Sequence, residues 1–334
     1  MTPIVPSKRR NSLRAFYPSL VLLFLCGISI HSQSLPAKSL PLAASGQSRI
    51  STETDFVVLP VSVTDAKGDF ISGLNLQNFR VYSDGRQQTV TTFQQQDTPV
   101  AVGLIVDHSR SMGSQLPGVA AAVSSFAQSS NPRDEMFVVD FNDDVSVELM
   151  GGKAFTSNPK ELAKAVYAVR ARGRTALYDA VAEGLVHLQL GRSDRKALIV
   201  VSDGGDNASQ QKLSQVLALA QQSQVAIYSI GLIGETAETD PAVLRRFAKA
   251  TGGIAYFPDA SKTVTSISEQ IARDLREQYT LGFAPEQANN SRAFRKIEVK
   301  VAAPGRGKVH VRTRTGYFAN GKNSAVASAE KGAK

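Results

Sequence analysis

One cysteine, Cys26, and no tryptophan occur in 334 residues. A lone cysteine excludes a disulfide framework and a cysteine-based zinc cage, and its place in an apolar N-terminal run excludes thiol catalysis in the folded body. The patterns G-x-x-x-x-G-K-[ST], G-x-G-x-x-G and H-E-x-x-H are also missing, so nucleotide binding and that form of zinc hydrolysis have no support. No G-x-S-x-G elbow is present to activate a serine. What remains is 42% hydrophobic and 20% charged, enough apolar surface for a buried core, which rules out a wholly disordered or fibrous chain. Net charge is +9, but Lys8, Arg9, Arg10 and Arg14 all precede the first apolar run. The excess left for the body is mild and argues only weakly for nucleic acid as the partner.

Residues 1–34 have the three-part pattern of a secretory signal peptide: basic residues, the uncharged stretch Ala15 to Ile30, then small residues at Ser32 and Ser34. An uncleaved anchor is the alternative, the stretch being shorter than the ~20 residues of a usual membrane span. Bulky Phe24 and Leu25 before Cys26 argue against lipoprotein processing. The expected location is outside the cytoplasm, in the periplasm, on the surface or in the medium. Residues 35–54, rich in Ser, Ala, Pro and Gln, read as a flexible leader.

Order is expected from 55 onward. In 55–98, alternation in FVVLPVSVTD and a hairpin over 79–93 around Asp84-Gly85 predict a small β segment. Over 99–278, apolar runs at 100–106, 136–141, 196–202 and 225–231 alternate with helical stretches at 114–130, 158–170, 177–190, 211–222, 240–250 and 261–278. That is the α/β pattern of a doubly wound, mostly parallel sheet with helices on both faces. β signals return at 279–285, 295–301 and 308–318. The segment 279–318 is expected to pair with 55–98 into a small β-sandwich, since neither buries a core alone. Residues 319–334 read as a disordered tail.

Ligands of open α/β sheets sit beyond the carboxyl ends of the strands. There the chain places Asp107-His108-Ser109-Arg110-Ser111, Arg172-Gly173-Arg174-Thr175 and Asp203-Gly204-Gly205-Asp206-Asn207. Two carboxylates and three hydroxyls form a hard-oxygen set of the kind Mg²⁺ takes while leaving room for an outside ligand. DxSxS after a buried strand, the Thr of TALYDA and the Asp of VSDGGDN resemble the metal-ion-dependent adhesion site of von Willebrand factor type A domains. With its flanking β segments the chain resembles a bacterial exported family built around that domain, over about 56–318. The resemblance implies a Rossmann-like fold and a metal site of Asp107, Ser109, Ser111, Thr175 and Asp203. It implies Mg²⁺, with Mn²⁺ or Ca²⁺ as substitutes, and a protein partner whose acidic side chain completes the coordination. It implies ligand binding, not turnover. Arg110 and Arg174 stand where Gly is common in the family; with Arg172 they are expected to form a positive rim for the partner or to lie solvated on their loops.

Competing readings remain at this level. Ser111 and Thr175 precede helices and would serve equally as N-caps. A structural scaffold whose metal only stiffens loops is the alternative function, and a hydrolase using His108, Ser111 and Asp203 a distant one. Asp206 and Asn207 are expected to organise a turn, Tyr178 and Asp179 to pack or cap a helix start, and His108 to lie on the surface. The basic residues Arg292, Arg295, Lys296, Lys300, Arg306, Lys308, Arg312 and Arg314 are interleaved with strand residues and read as a solvated face.

Overall fold

The computed structural model describes residues 56–95, 97–147, 149–232, 239–259, 263–285 and 294–318. The segments expected to be signal peptide, leader and tail fall outside them. The first strands are β1 (Val57–Thr64), β2 (Phe79–Ser83), β3 (Arg86–Gln88) and β4 (Thr92–Gln94). Next come β5 (Val100–Asp107), α1 (Leu116–Ser129), β6 (Glu135–Phe141), β7 (Val145–Val147), α2 (Pro159–Ala168) and α3 (Leu177–His187). Then follow β8 (Arg195–Ser202), α4 (Leu213–Gln222), β9 (Ala226–Gly231), α5 (Pro241–Thr251), β10 (Ala255–Tyr256) and α6 (Val264–Glu277). The chain closes with β11 (Tyr279–Phe283), β12 (Phe294–Val301), β13 (His310–Arg312) and β14 (Gly316–Phe318). Among the described residues no helix is long and apolar enough to cross a membrane.

The predicted α/β layer is present. Its sheet has the order β10-β9-β8-β5-β6-β7, parallel except for β7. Alternation along β5 sends Val100, Val102, Leu104 and Val106 to one face, under α1, α2 and α6. Ala101 and Ile105 go to the other, under α3, α4 and α5. Every residue of β5 is buried, as a strand covered on both faces requires. Gly103 lets Phe137 and Leu198 close over it, for a Cβ there would come within 2.6 Å of both. Local signals set the helix ends: Asp240 accepts the amides of Ala242 and Val243 at the start of α5, with Pro241 in its first turn. Gly252 closes that helix at φ +82°.

The flanking segments form the expected sandwich. One sheet runs β13-β1-β11-β4, the other β14-β12-β2-β3, both antiparallel. Leu59, Val61, Val81, Leu281, Phe283, Val299 and Tyr317 share their core. Two details differ from expectation. The hairpin around Asp84-Gly85, both at positive φ, ends at Gln88, and the chain then crosses so that β4 joins the other sheet. Likewise 308–318 is two strands in different sheets, because Arg312 and Thr313 are tied to Gly252 and Pro60 and turn the chain away. Edge strands β7 and β10, three and two residues long, are too short to show as periodic patterns.

Only Gln278 separates α6 from β11, so the α/β layer feeds straight into the sandwich. A buried polar cluster fastens this junction. Asp274 on α6 accepts Ser62 of β1 at 2.7 Å, Tyr228 of β9, and Arg312 of β13. Gln278 donates to Tyr228 at 2.8 Å and to Ser62 at 3.3 Å. Ser62, Asp274 and Gln278 are all buried, so each must find its partners inside the protein.

Candidate metal centre

The carboxyl ends of β5 and β8 lie side by side, since these strands pair in parallel along their length. The register delivers Asp107 and Asp203 to one rim. Asp107 is fully buried: its Oδ1 accepts the Ser109 amide at 2.8 Å and its Oδ2 the Ser202 hydroxyl at 2.6 Å. Ser202 in turn accepts the Gly204 amide at 3.0 Å, and Asp203 Oδ1 accepts the Gly205 amide at 3.0 Å. The turn requires glycine: Gly204 sits at φ +88°, and a Cβ there would lie 2.3 Å from the Asp240 carbonyl oxygen.

Side-chain oxygens from the two loops are joined in a row. The Ser109 and Ser111 hydroxyls are 3.0 Å apart, and Ser111 donates to Asp203 Oδ2 at 2.9 Å. Thr175 is brought alongside by backbone contacts: the Arg110 amide donates to the Gly173 carbonyl at 3.4 Å, and the Arg172 amide to the His108 carbonyl at 2.8 Å. Asn207 holds Thr175 directly, its Oδ1 accepting the Thr175 amide while its own amide donates to the Thr175 carbonyl, both at 2.9 Å. Ser109, Thr175 and Asp203 are buried; Ser111 is exposed and marks the open side.

The capping alternative fails on this geometry. Ser109 precedes a short 3₁₀ turn, Arg110–Met112, and makes no side-chain cap bond to it. Gln115 and Ala176, not Ser111 and Thr175, occupy the N-cap positions of α1 and α3. The first turn of α3 is served from a distance, Asp206 accepting the Tyr178 amide and Ser209 the Asp179 amide, both at 3.1 Å. Asp179 then accepts the amides of Gln210 and Gln211. Asp206 and Asn207 therefore organise the loop, as expected, and Asp179, expected to pack or cap a helix start, instead joins them in holding it.

These residues fit a small hard cation. Burial pushes the Asp107 carboxyl up to about 6, with the nearby Asp203 charge adding to the effect. Among the described residues neither carboxylate forms an ion pair with a basic side chain. Oxygens held about 2.0–2.1 Å from an octahedral Mg²⁺ lie about 2.9 Å apart along its edges, close to the spacing of this row. Among the described residues no group of three or more His, Cys, Asp or Glu is placed to hold a metal. A cation at this rim would thus rest on hydroxyls as much as on carboxylates.

Two expectations are revised. His108 is not on the surface: it is fully buried, with Nε2 2.9 Å from the Val166 carbonyl and Nδ1 3.1 Å from Asp140. It follows directly on β5, its amide donating to the Phe141 carbonyl, and its ring is engaged by Val166 and Asp140 rather than Ser111; these three residues do not assemble a His–Ser–Asp relay. The arginine rim is also uneven. Arg110, Arg172 and Arg174 are all exposed, but Arg174 is paired with Asp143 at 2.8 Å. Two supporting residues carry no motif of their own: Ser202, which holds Asp107, and Asp143, in the bend between β6 and β7, which holds the Arg174 loop.

A family model for the von Willebrand factor type A domain matches residues 102–270. No curated protein sequence matches the chain. Among solved structures, similarity extends to a von Willebrand factor type A protein from Catenulispora acidiphila, at 13% identity over 80% of this chain and 74% of that one, TM-score 0.48. It extends also to the conserved hypothetical protein BatB from Bacteroides thetaiotaomicron, at 17% identity over 53% and 97%, TM-score 0.43. A third is the vWF domain of the type V pili tip protein Mfa5 from Porphyromonas gingivalis, at 13% identity over 53% and 95%, TM-score 0.44.

Proposed function

The chain belongs to the von Willebrand factor type A domain family, and from that premise we propose that it is an exported, non-enzymatic module that binds a protein partner in a divalent-cation-dependent way. The supporting observation is the row Ser109–Ser111–Asp203 beside buried Asp107, with Thr175 held next to it. A bound Mg²⁺, or Mn²⁺ or Ca²⁺ in its place, would supply positive charge and a coordination position for a partner carboxylate. Each residue of the site has a separate task. Ser109, Ser111 and Thr175 offer neutral oxygens, which leave a cation more of its charge for an acidic guest than carboxylates would. Asp107 and Asp203 balance the charge from below. Ser202 and Asn207 fix the orientation of Asp107 and the Thr175 loop. Arg110 and Arg172 lie exposed on the same loops, where they favour an anionic partner surface.

Immobilised full-length protein, loaded with envelope proteins in Mg²⁺ and eluted with EDTA, tests this reading. The expected result is a specific eluate with the wild type and none with Asp203→Ala, both proteins melting at the same temperature. Retention of the same partner in EDTA, or by Asp203→Ala, refutes it.

A further inference from the structure

Residues 279–318 carry eight Lys and Arg against two acids, Glu286 and Glu298. Arg312 is engaged by Asp274, and Arg314 is buried between Gln224 and the Tyr317 ring. Several of the rest are turned outward by strand alternation. In β12, Ile297 and Val299 are buried while Lys296, Glu298 and Lys300 are exposed; in β2, Phe79 and Val81 are buried while Arg80 is exposed. The register sets Lys300 directly opposite Arg80, and Glu298 opposite Tyr82. Like charges facing each other across strands are unfavourable for the sheet itself. Among the described residues no helix makes an extended contact with β2 or β12, so this outer face is open. Exposed Arg306 and Lys308 continue the positive surface beyond β12, and Glu298 and Asp84, whose Oδ1 accepts the Lys296 amide, are the acids beside it.

The cations are held in place. Arg80 Nη1 donates to the carbonyls of Gln77 and Phe79, both at 2.9 Å. Lys300 lies 3.5 Å from Glu298 and 5.1 Å from the Tyr82 ring centroid. Lys296 and Lys300, four residues apart on one strand, are roughly 13 Å apart. Beside them runs an open groove of about 430 Å³ in which Gln77, Arg80, Gln87, Gln88 and Thr89 stand over an apolar floor of Leu76, Phe79 and Val90. Three carboxamides and a hydroxyl give it both donors and acceptors.

We infer that this face and its groove bind an acidic polysaccharide: the cations take spaced carboxylates along the polymer and the carboxamide groove takes sugar hydroxyls. Nucleic acid fits less well, because its bases need free rings to stack on. Tyr82 has Lys300 over its ring, and Phe294 and Phe318 pack edge to face at 5.3 Å. A bilayer surface fits less well too: the large apolar side chains exposed here, Phe294 at the edge and Leu76 in the groove, are two and apart, where an interfacial element carries a continuous apolar face.

The test uses the full chain in EDTA at low salt, so that it is independent of the cation site, with polygalacturonate as the probe in calorimetry. Expected are binding that weakens steeply with added salt and at least a tenfold loss in Lys296→Gln/Lys300→Gln. A second variant, Arg306→Gln/Lys308→Gln, should weaken it several-fold. Lys160→Gln/Lys164→Gln, which removes the same charge from exposed positions on α2, should leave binding unchanged. Absence of binding, an equal loss in the α2 variant, or tighter binding to single-stranded DNA or to phosphatidylglycerol vesicles overturns the inference.

Discussion

Replacing Asp274 by Asn probes the junction between the two layers. Asp274 is 1% exposed and accepts hydrogen bonds from Ser62, Tyr228 and Arg312. The Arg312 side chain, 25% exposed, also donates to the Gly252 carbonyl at 2.6 Å and to Ser62 at 2.8 Å. Asn keeps the volume but removes the charge, leaving the guanidinium facing a neutral amide with the wrong donors. Removing one partner of a buried pair costs roughly 3–5 kcal/mol. At roughly 2–4 °C per kcal/mol for a body of this size, Tm should fall by roughly 6–20 °C. Asp274→Asn/Arg312→Met should cost less than the sum of the single changes, because it removes the uncompensated charge. Urea unfolding supplies the free energies and a thermal melt the Tm, both followed by circular dichroism in Mg²⁺ and in EDTA. A loss below 1 kcal/mol for Asp274→Asn, or strict additivity in the double variant, would show that this cluster does not hold the sandwich to the α/β layer.

Two further outcomes follow from the rim. Asp107 holds its proton up to about 6 in the folded chain against an ordinary 3.8, so protonation favours the folded state. Stability without cation should therefore fall as pH rises from about 4 to about 6 and level off above, while Mg²⁺ affinity climbs through the same window. Asp134, also raised to about 6 by burial, adds a slope of the same sign; the Asp107 share is the difference between wild type and Asp107→Asn in urea melts across that range. Gly204→Ala, forced to φ +88° against the Asp240 carbonyl, should cost about 1–3 kcal/mol and weaken Mg²⁺ binding by displacing Asp203. Unchanged calorimetric affinity in that variant would detach the turn from the site.

Much of this molecule can be read from its residues because several levels agree. Runs such as VAVGLIV are apolar throughout because both faces of the sheet are covered, and strand–helix alternation then fixes where the carboxyl ends lie. DxSxS and VSDGG carry their turns in their own chemistry. His108 misleads because a polar residue after a strand end reads as loop, whereas its inward direction is decided by Asp140 and Val166, which no local pattern supplies. The cap of α3 is equally non-local, coming from Asp206 and Ser209 some thirty residues on. The change of sheet within 308–318 depends on Gly252 and Pro60 in other layers.

The most direct measurement is a crystal structure grown with Mn²⁺ and read by its anomalous signal. One strong peak is expected in contact with the hydroxyls of Ser109 and Ser111, close to Thr175 and Asp203, and its loss in Ser109→Ala/Ser111→Ala. A rim free of signal at millimolar Mn²⁺, or a peak held elsewhere in the molecule, would contradict that expectation.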